Sequence, residues 1–343
     1  FGHVIHTAPE DMYISRVAAI SAGVPETSPA LTLNRLCGSG LQAIVTAAEQ
    51  ILLGNADITL AGGAESMSRA GHLLTQARHG QKMGDTLALD MMTGALTDPF
   101  GNGHMGITAE NISQRAGIDR AAQDAFALES HKRAARAIAE GRFVDQILPL
   151  TVKQGRKEFV FDTDEHVRAD VSLADLAKLR PAFRKDGTVT AGNASGINDA
   201  GAAVVLMEEG VAAARGVVPL GRIVAYGLGG VAPEVMGLGP VPAVKQALQR
   251  AGLAVSDIDV IESNEAFAVQ ACAVSAELGF APEKVNPNGG AIALGHPVGA
   301  SGAIILIKAL YELKRTGGRY GLATMCIGGG QGIAVIVENP AHG

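Results

Sequence analysis

The stretch Ser39-Gly40-Leu41-Gln42-Ala43-Ile44-Val45-Thr46-Ala47-Ala48-Glu49-Gln50-Ile51-Leu52-Leu53-Gly54 carries the pattern on which the fold turns. Leu41, Ile44, Val45, Ala48, Ile51 and Leu52 recur at helical spacing, and Gly54 supplies the stop. Directly after it, Ile58-Thr59-Leu60-Ala61 reads as a short strand that ends in Gly62-Gly63. The same order returns near the other end of the chain. Ser301-Gly302 opens a run with Ile304, Ile305, Ile307, Leu310 and Leu313 that stops at Gly317-Gly318. Tyr320 to Ile327 then reads as a strand that ends in Gly328-Gly329-Gly330. Ser-Gly, apolar helix, glycine stop, strand, glycine cluster, read twice, points to two similar α/β halves. Alternating helices and buried strands of this kind stack in layers.

Outward from these two runs, 343 residues are long for one domain and fit two or three packed units. Hydrophobic residues at 47% against charged residues at 18% provide for a buried core and exclude disorder. Between the halves, residues 67–193 have a different texture, richer in charge and in Met. One clear helix is expected there, from Asp119 as N-cap to Gly141 just past its end. Asp162 to Asp170 and Arg184 to Gly187 read as exposed loops. The expected division is therefore a first half of residues 1–66 with 194–219, an inserted subdomain of residues 67–193, and a second half of residues 220–343. The second half opens on the strand Ile223-Val224-Ala225-Tyr226.

The formal net charge is −6 with no run of like charges, which argues against a nucleic-acid partner. The longest apolar candidate, Ala303 to Leu310, is too short for a membrane span and contains Lys308. Cysteines occur at 37, 272 and 326 without a CxxC pair, so neither a zinc site nor a disulfide framework is expected. Such usage suits a reducing, cytoplasmic compartment. The chain opens at Phe1-Gly2-His3-Val4-Ile5, without Met or cap, as though inside an element. A preceding segment is expected, and any targeting signal would lie in it.

Four short blocks could carry chemistry. Cys37 lies in Asn34-Arg35-Leu36-Cys37-Gly38-Ser39-Gly40, just before the first apolar helix. A thiol there faces unpaired N–H groups and the positive end of the helix dipole, both of which favour thiolate. Flanking glycines let a substrate approach. Equally, free cysteines are commonly buried packing, and the segment alone does not separate the two. Cys326, in Met325-Cys326-Ile327-Gly328-Gly329-Gly330-Gln331-Gly332, sits where a strand enters a glycine turn whose N–H groups could form an anion-binding nest. Read alone, a glycine turn with an incidental cysteine is the plainer account. Cys272, in Ala271-Cys272-Ala273 on a helical run, reads as core. His296, in Gly295-His296-Pro297-Val298-Gly299, is held to extended geometry by the following proline, although a lone histidine is more often structural. Asn264-Glu265-Ala266-Phe267 follows the strand-like Val260-Ile261 and could place an amide at a strand end.

Together, in this order, these four blocks resemble the motifs of the thiolases, and the resemblance spans essentially the whole chain. Within that family the chain looks most like bacterial β-ketothiolases (acetyl-CoA acyltransferases) of the kind that feed polyhydroxyalkanoate synthesis. The resemblance implies a duplicated, layered α-β-α-β-α fold with an inserted loop subdomain. It also implies a reversible Claisen condensation of an acyl-CoA with acetyl-CoA to a 3-ketoacyl-CoA and free CoA, through an acyl-cysteine. By the same resemblance Cys37 is acylated, Cys326 moves the α-proton, and His296 with a water held by Asn264 stabilises the enolate. The N–H groups of Cys37 and Gly328 form a second oxyanion hole, and Glu265 supports the site from behind. The CoA and acyl positions are His104, Met105, Arg168, Phe183, Ala191 and Ser195, with Met236 and Phe267 nearer the acyl end. No cofactor is implied, since the CoA thioesters are substrates, and the assembly implied is a dimer or tetramer. Met83, Met91 and Met92 read as packing in the subdomain or at an oligomer contact.

Relatives begin with a further strand–helix–strand segment carrying Arg-Thr-Pro, so the first half is expected to be incomplete and the 343 residues alone less stable. Rival readings differ in the blocks they require. A ketoacyl synthase of the same superfold pairs its cysteine with two histidines, whereas the second site here is Cys326. A non-catalytic acyl-CoA or lipid carrier would be expected to have lost Cys37, His296 or Cys326, and an inactive fragment would keep all three.

Overall fold

A computed structural model describes residues 1–342. In chain order, the elements that build the site begin with α1 (Ser39–Leu52) and β1 (Ile58–Ser66), followed by α2 (Met105–Ala116), α3 (Arg120–Ala139) and β2 (Asp199–Met207). Then come β3 (Arg222–Gly230), α4 (Pro240–Ala251), β4 (Ile258–Ser263) and α5 (Ala268–Leu278), and finally α6 (Ser301–Thr316), β5 (Tyr320–Ile327) and β6 (Gln331–Glu338). The helix ends follow the expected stops. Gly54 lies just past α1 and Gly317 caps α6, both with φ near +71°, the left-handed turn that glycine adopts without a side-chain clash. Asp119 accepts the Ala122 N–H at 2.8 Å as the N-cap of α3.

The second-half sheet runs β4-β5-β6-β3, with β4 and β5 parallel and the other pairs antiparallel. Strand periodicity sorts its side chains between two cores. From β5, Leu322 and Cys326 face the side covered by α4 and α5, while Ala323, Met325 and Ile327 face the side covered by α1 and α6. In β6, Ala334 and Ile336 alternate with Ile333, Val335 and Val337 in the same way. Ile305, Leu306, Leu310 and Leu313 of α6 are buried in the second of these cores. Each such burial stabilises the packing by about 1.5–3 kcal/mol relative to exposure.

The first-half sheet pairs β1 with β2 antiparallel, from Ile58 opposite Met207 to Ser66 opposite Asp199. Gly2 adds a parallel bridge to Gly63. Strand β1 does not end at the glycine pair, as the sequence pattern led one to expect, but continues through it to Ser66. The reason is steric. A Cβ on Gly62 would sit 2.0 Å from the Ala202 carbonyl oxygen, and one on Gly63 2.0 Å from that of Gly299, so the glycines mark close backbone approach rather than a turn. On β2, Val205 is exposed, and Ile58 and Leu60 of β1 are exposed too, so this part of the first sheet faces outward.

Helices α1 and α6 lie against each other between the two sheets. Their contact is reciprocal. A Cβ on Gly40 would meet the backbone nitrogen of Ala303 at 2.9 Å, and one on Gly302 would meet that of Leu41 at 2.3 Å. Gly40 and Gly302 are each second in their Ser-Gly pair, and Leu41 and Ala303 each third, so the contact has the self-matching form a twofold relation produces. From the intervening segment, α2 and α3 pack on α5 of the second half, and the hairpin Leu150–Gln154 with Lys157–Phe161 lies outside on the surface. Met83 is 97% exposed and Met91 is exposed, so neither packs within the subdomain, and only Met92 lies against a core cluster.

Candidate active site

The loop before α1 is tightly tied. Asn34 Oδ1 accepts the Leu36 N–H at 2.9 Å, and Ser39 Oγ accepts the Arg35 N–H at 2.8 Å while donating to the Leu36 carbonyl at 2.7 Å. These bonds hold Leu36 at φ +46°, a conformation costing a non-glycine residue roughly 1–2 kcal/mol. The kink delivers Cys37 to the mouth of α1. Gly38 follows because a Cβ there would lie 2.4 Å from Ile327 Cδ1. Without one, the loop can lie on the end of β5, next to Cys326. The turn from β5 to β6 then runs through Gly329 and Gly330 at φ +81° and +85°, and the Gly328 N–H faces the Cys37 sulfur closely enough to favour its thiolate.

The two thiols and the imidazole line one cavity of about 260 Å³. Burial pushes the Cys37 thiol up to about 11, Glu65 nearby pushes in the same direction, and the Gly328 and Cys37 N–H groups only partly offset them. The thiolate favoured by the helix end is therefore not the resting form. Desolvation outweighs the dipole in this apolar setting. Cys326 is raised further still, first by burial and then by the neighbouring Cys37. Cys272 is half-buried on α5 rather than core, and burial raises it to about 11.

His296 is buried and lowered to about 4 by desolvation, so it is neutral around pH 7. Its Nδ1 lies 2.6 Å from Ser301 Oγ, and its Nε2 lies 3.4 Å from Asn264 Nδ2. Its backbone N–H donates to Asn198 Oδ1 at 3.1 Å. Asn264 extends the β4–β5 ladder by donating its N–H to the Thr324 carbonyl at 3.0 Å. It touches His296 but does not line the main cavity. It lines a second cavity of about 20 Å³ behind the histidine, together with the polar groups of Ser301, Glu262, Ser263 and Lys308. That volume suits a single water. Lys308 there donates to Glu262 at 2.7 Å and to the Gly289 carbonyl at 2.5 Å, and burial raises Glu262 to about 7.

Two buried carboxylates bracket the histidine loop. Glu265 accepts from Ser130 Oγ at 2.6 Å, Asn286 Nδ2 at 2.8 Å and the Ile292 N–H at 3.2 Å. Glu65 accepts the N–H groups of Val4, Ile5 and Gly299 at 3.0–3.1 Å. Backbone on both sides of His296 is thereby fixed by a group that sequence reading assigned at Glu265 and missed at Glu65.

Of the other positions read from sequence, His104, Met105, Phe183, Ser195, Met236, Phe267 and Gly328 all line the main cavity. His104 caps α2 by accepting the Gly106 N–H at 3.1 Å and stacks on Phe183 with ring centroids 4.7 Å apart. Phe183 meets Phe267 edge-on at 6.2 Å, and Ser195 donates its N–H to the Ala266 carbonyl at 3.0 Å. Arg168 and Ala191 are exposed and lie outside the lining. Val4, Ile5, Leu36, Met67, Leu96 and Val298 complete the apolar wall. Leu36 and Val298 flank Cys37 and His296 in their blocks, whereas Val4, Ile5, Met67 and Leu96 belong to none, and only their apolar character marks them in the sequence. Among the described residues no group of His, Cys, Asp and Glu is arranged to hold a metal, and no helix is long and apolar enough to cross a membrane.

A cysteine at a helix mouth, a second cysteine against it and a neutral histidine across the same void form the kind of site that passes acyl groups through a thioester. Comparison with known proteins agrees. The thiolase N-terminal domain matches residues 1–210 and the thiolase C-terminal domain residues 217–339. The chain belongs to the thiolase family and is an acyltransferase. It is 62% identical over 339 residues to the beta-ketothiolase BktB of Cupriavidus necator, covering 98% of this chain and 86% of that protein. Identity to the acetyl-CoA acetyltransferase of Chromobacterium violaceum is 53% over 336 residues, covering 97% of this chain and 86% of that protein. Human mitochondrial 3-ketoacyl-CoA thiolase, whose crystal structure is also known in complex with CoA, superposes with TM-scores of 0.97 and 0.96 at 44% identity. The first of these matches covers 98% of this chain and 86% of that one. The fold is thus the α/β thiolase fold expected from the sequence.

Proposed function

We propose that Cys37, Cys326, His296, Asn264 and Gly328 carry out a thiolase reaction, the reversible Claisen condensation of an acyl-CoA with acetyl-CoA, in which a single negative charge passes between the two cysteines. The observation that carries this reading is the common cavity of the two sulfurs and His296. As thiolate, Cys37 attacks the acyl-CoA carbonyl. The carbonyl oxygen gains charge facing the N–H groups of Cys37 and Gly328, and the C–S bond to CoA breaks. The departing CoA sulfur takes the proton of Cys326 and leaves as the thiol, so Cys326 becomes the thiolate. Cys326 then removes a proton from the α-carbon of acetyl-CoA, and the enolate oxygen is stabilised by His296 Nε2 and a water on Asn264. Attack of the enolate carbon on the acyl-cysteine forms the carbon–carbon bond and returns Cys37 to thiolate, so protons and charge balance over the cycle. A buried thiolate is a strong base, which suits a weakly acidic C–H.

The pantetheine arm is assigned to the channel past His104, Met105, Phe183, Ala194 and Ser195, and the acyl end to Met236 and Phe267. Arg168 and Ala191, outside the cavity and exposed, are assigned to the nucleotide. Residues 1–66 with 194–219 and residues 220–343 are assigned as the two halves and residues 67–193 as the CoA-binding insertion. Dimers or tetramers in a reducing cytoplasm belong to the same reading, which the unpaired cysteines support. Steady-state thiolysis of acetoacetyl-CoA by the purified chain tests it. Turnover that disappears in Cys37→Ala is expected. Turnover that survives in that variant would sink the assignment.

A further inference from the structure

The cavity has two apolar walls, one beside each thiol. Cys326 belongs to the core cluster that contains Met105, Met236 and Phe267, whereas Cys37 packs against Val4, Ile5, Met67 and Val298. All of these residues line the cavity. The wall beside Cys37 is assembled from three separate segments: the fourth and fifth residues, the end of β1, and the loop after His296. One side chain ties them together. Glu65, buried on β1, accepts the Ile5 N–H on Oε1 at 3.1 Å, and the N–H groups of Val4 and Gly299 on Oε2 at 3.1 and 3.0 Å. Gly299, next to Val298, is pressed onto the carboxylate, since a Cβ there would lie 2.7 Å from Oε2. Both oxygens face donors, which suits the ionised form, because a protonated carboxyl would turn an O–H toward an N–H. Burial raises Glu65, and the backbone N–H groups and His3 act against that rise.

We propose that Glu65 is a positioning residue that determines specificity: by holding Val4, Ile5 and Val298 at a fixed spacing, it limits the length of the acyl group that Cys37 can carry. An acyl group bonded to the Cys37 sulfur begins against this wall, so each added methylene must find room there. Charge-assisted hydrogen bonds to backbone are about twice as strong as neutral ones, and here they join segments that side-chain packing alone would leave free to part. A wall fixed in this way does not yield to an extra methylene, and a close-packed apolar pocket resists one at a cost felt directly in rate. The inference rests on the acylation of Cys37 in the thiolase reaction and adds what sets the size of the acyl group.

The test compares kcat/KM for thiolysis of acetoacetyl-CoA with that of 3-ketohexanoyl-CoA, whose acyl group is two carbons longer. Glu65→Gln keeps the size of the side chain but puts an NH2 where an acceptor oxygen stood. Whichever way the amide turns, that NH2 faces at least one backbone N–H, so at least one of the three bonds is lost. The ratio of the longer to the shorter substrate should rise about tenfold or more, the scale on which an apolar pocket discriminates one methylene. Glu65→Asp keeps the charge and both oxygens but shortens the reach by one methylene, and it should shift the ratio in the same direction if Glu65→Gln does not fold. Ile5→Ala widens the same wall without touching the carboxylate and should raise the ratio about tenfold. A merely structural role would lower both substrates by the same factor, so an unchanged ratio in the Glu65 variants, or in Ile5→Ala, would overturn the proposal. A wild-type chain that turns over neither substrate would instead remove the thiolase reading itself.

Discussion

The reactivity of Cys37 decides between two opposed effects, and pH is the perturbation that separates them. The helix mouth and the Gly328 N–H favour thiolate, while burial and Glu65 oppose it, and the balance leaves the thiol at about 11 instead of 9.0. At pH 8 an ordinary thiol titrating at 9.0 is about one-tenth thiolate, and one titrating at about 11 is about one-thousandth. Because the thiolate is the nucleophile, alkylation of Cys37 by iodoacetamide should be about 100-fold slower than that of an ordinary thiol. The rate should rise about tenfold per pH unit from 7 to 10, with no plateau below 10. Peptide mass mapping in a Cys326→Ala background isolates the Cys37 peptide from that of Cys272. The sign is that of an acid whose folded value is raised: the reactive form is lost as pH falls. A rate that levels off between pH 7 and 8 would refute the reasoning, because it would mean that the dipole and the N–H donor outweigh desolvation.

Further tests address the division of labour and the packing. Cys37→Ala should form no acyl adduct with acetyl-CoA, whereas Cys326→Ala should accumulate acetyl on Cys37 and fail to form the carbon–carbon bond; intact-protein mass spectrometry distinguishes them, and equal labelling of both would overturn the assignment. Phe183→Ala removes the ring stacked on His104 and should raise KM for CoA thioesters roughly tenfold with kcat largely kept, since stacking and area burial each contribute on the order of 1 kcal/mol; an unchanged KM in steady-state thiolysis would move the arm elsewhere. Gly302→Ala forces a Cβ to within 2.3 Å of the Leu41 backbone nitrogen and should cost about 1–3 kcal/mol, read as a lower urea midpoint at unchanged slope.

The parts of the fold written in the sequence are those fixed by local rules. Apolar spacing and the glycine stops gave α1 and α6 their bounds, the Asp119 cap located α3, and Tyr320 to Ile327 forms the strand its pattern foretold. The misreading of Gly62-Gly63 as a strand end has a different origin. The reason for those glycines lies in Ala202 and Gly299, more than 130 residues away, and no local pattern contains it. In the site, turns and a helix mouth singled out Cys37, His296 and Cys326 as candidates, but their roles, and Gly328 altogether, were legible only through the resemblance carried by the four blocks in order. Glu65 was not, since its function is to accept N–H groups from Gly299 and the chain's fourth and fifth residues. The protonation of Cys37 was misjudged for a similar reason: the helix end is visible in sequence, but the apolar wall that outweighs it is assembled from distant segments.

The reciprocal seating of Gly40 and Gly302 has a mechanical corollary. The helix that follows Cys37 and the helix that follows His296 begin side by side, so the spacing of thiol and imidazole is set where the two helix mouths meet. A side chain added to either glycine would push those mouths apart and separate the two groups across the cavity they share.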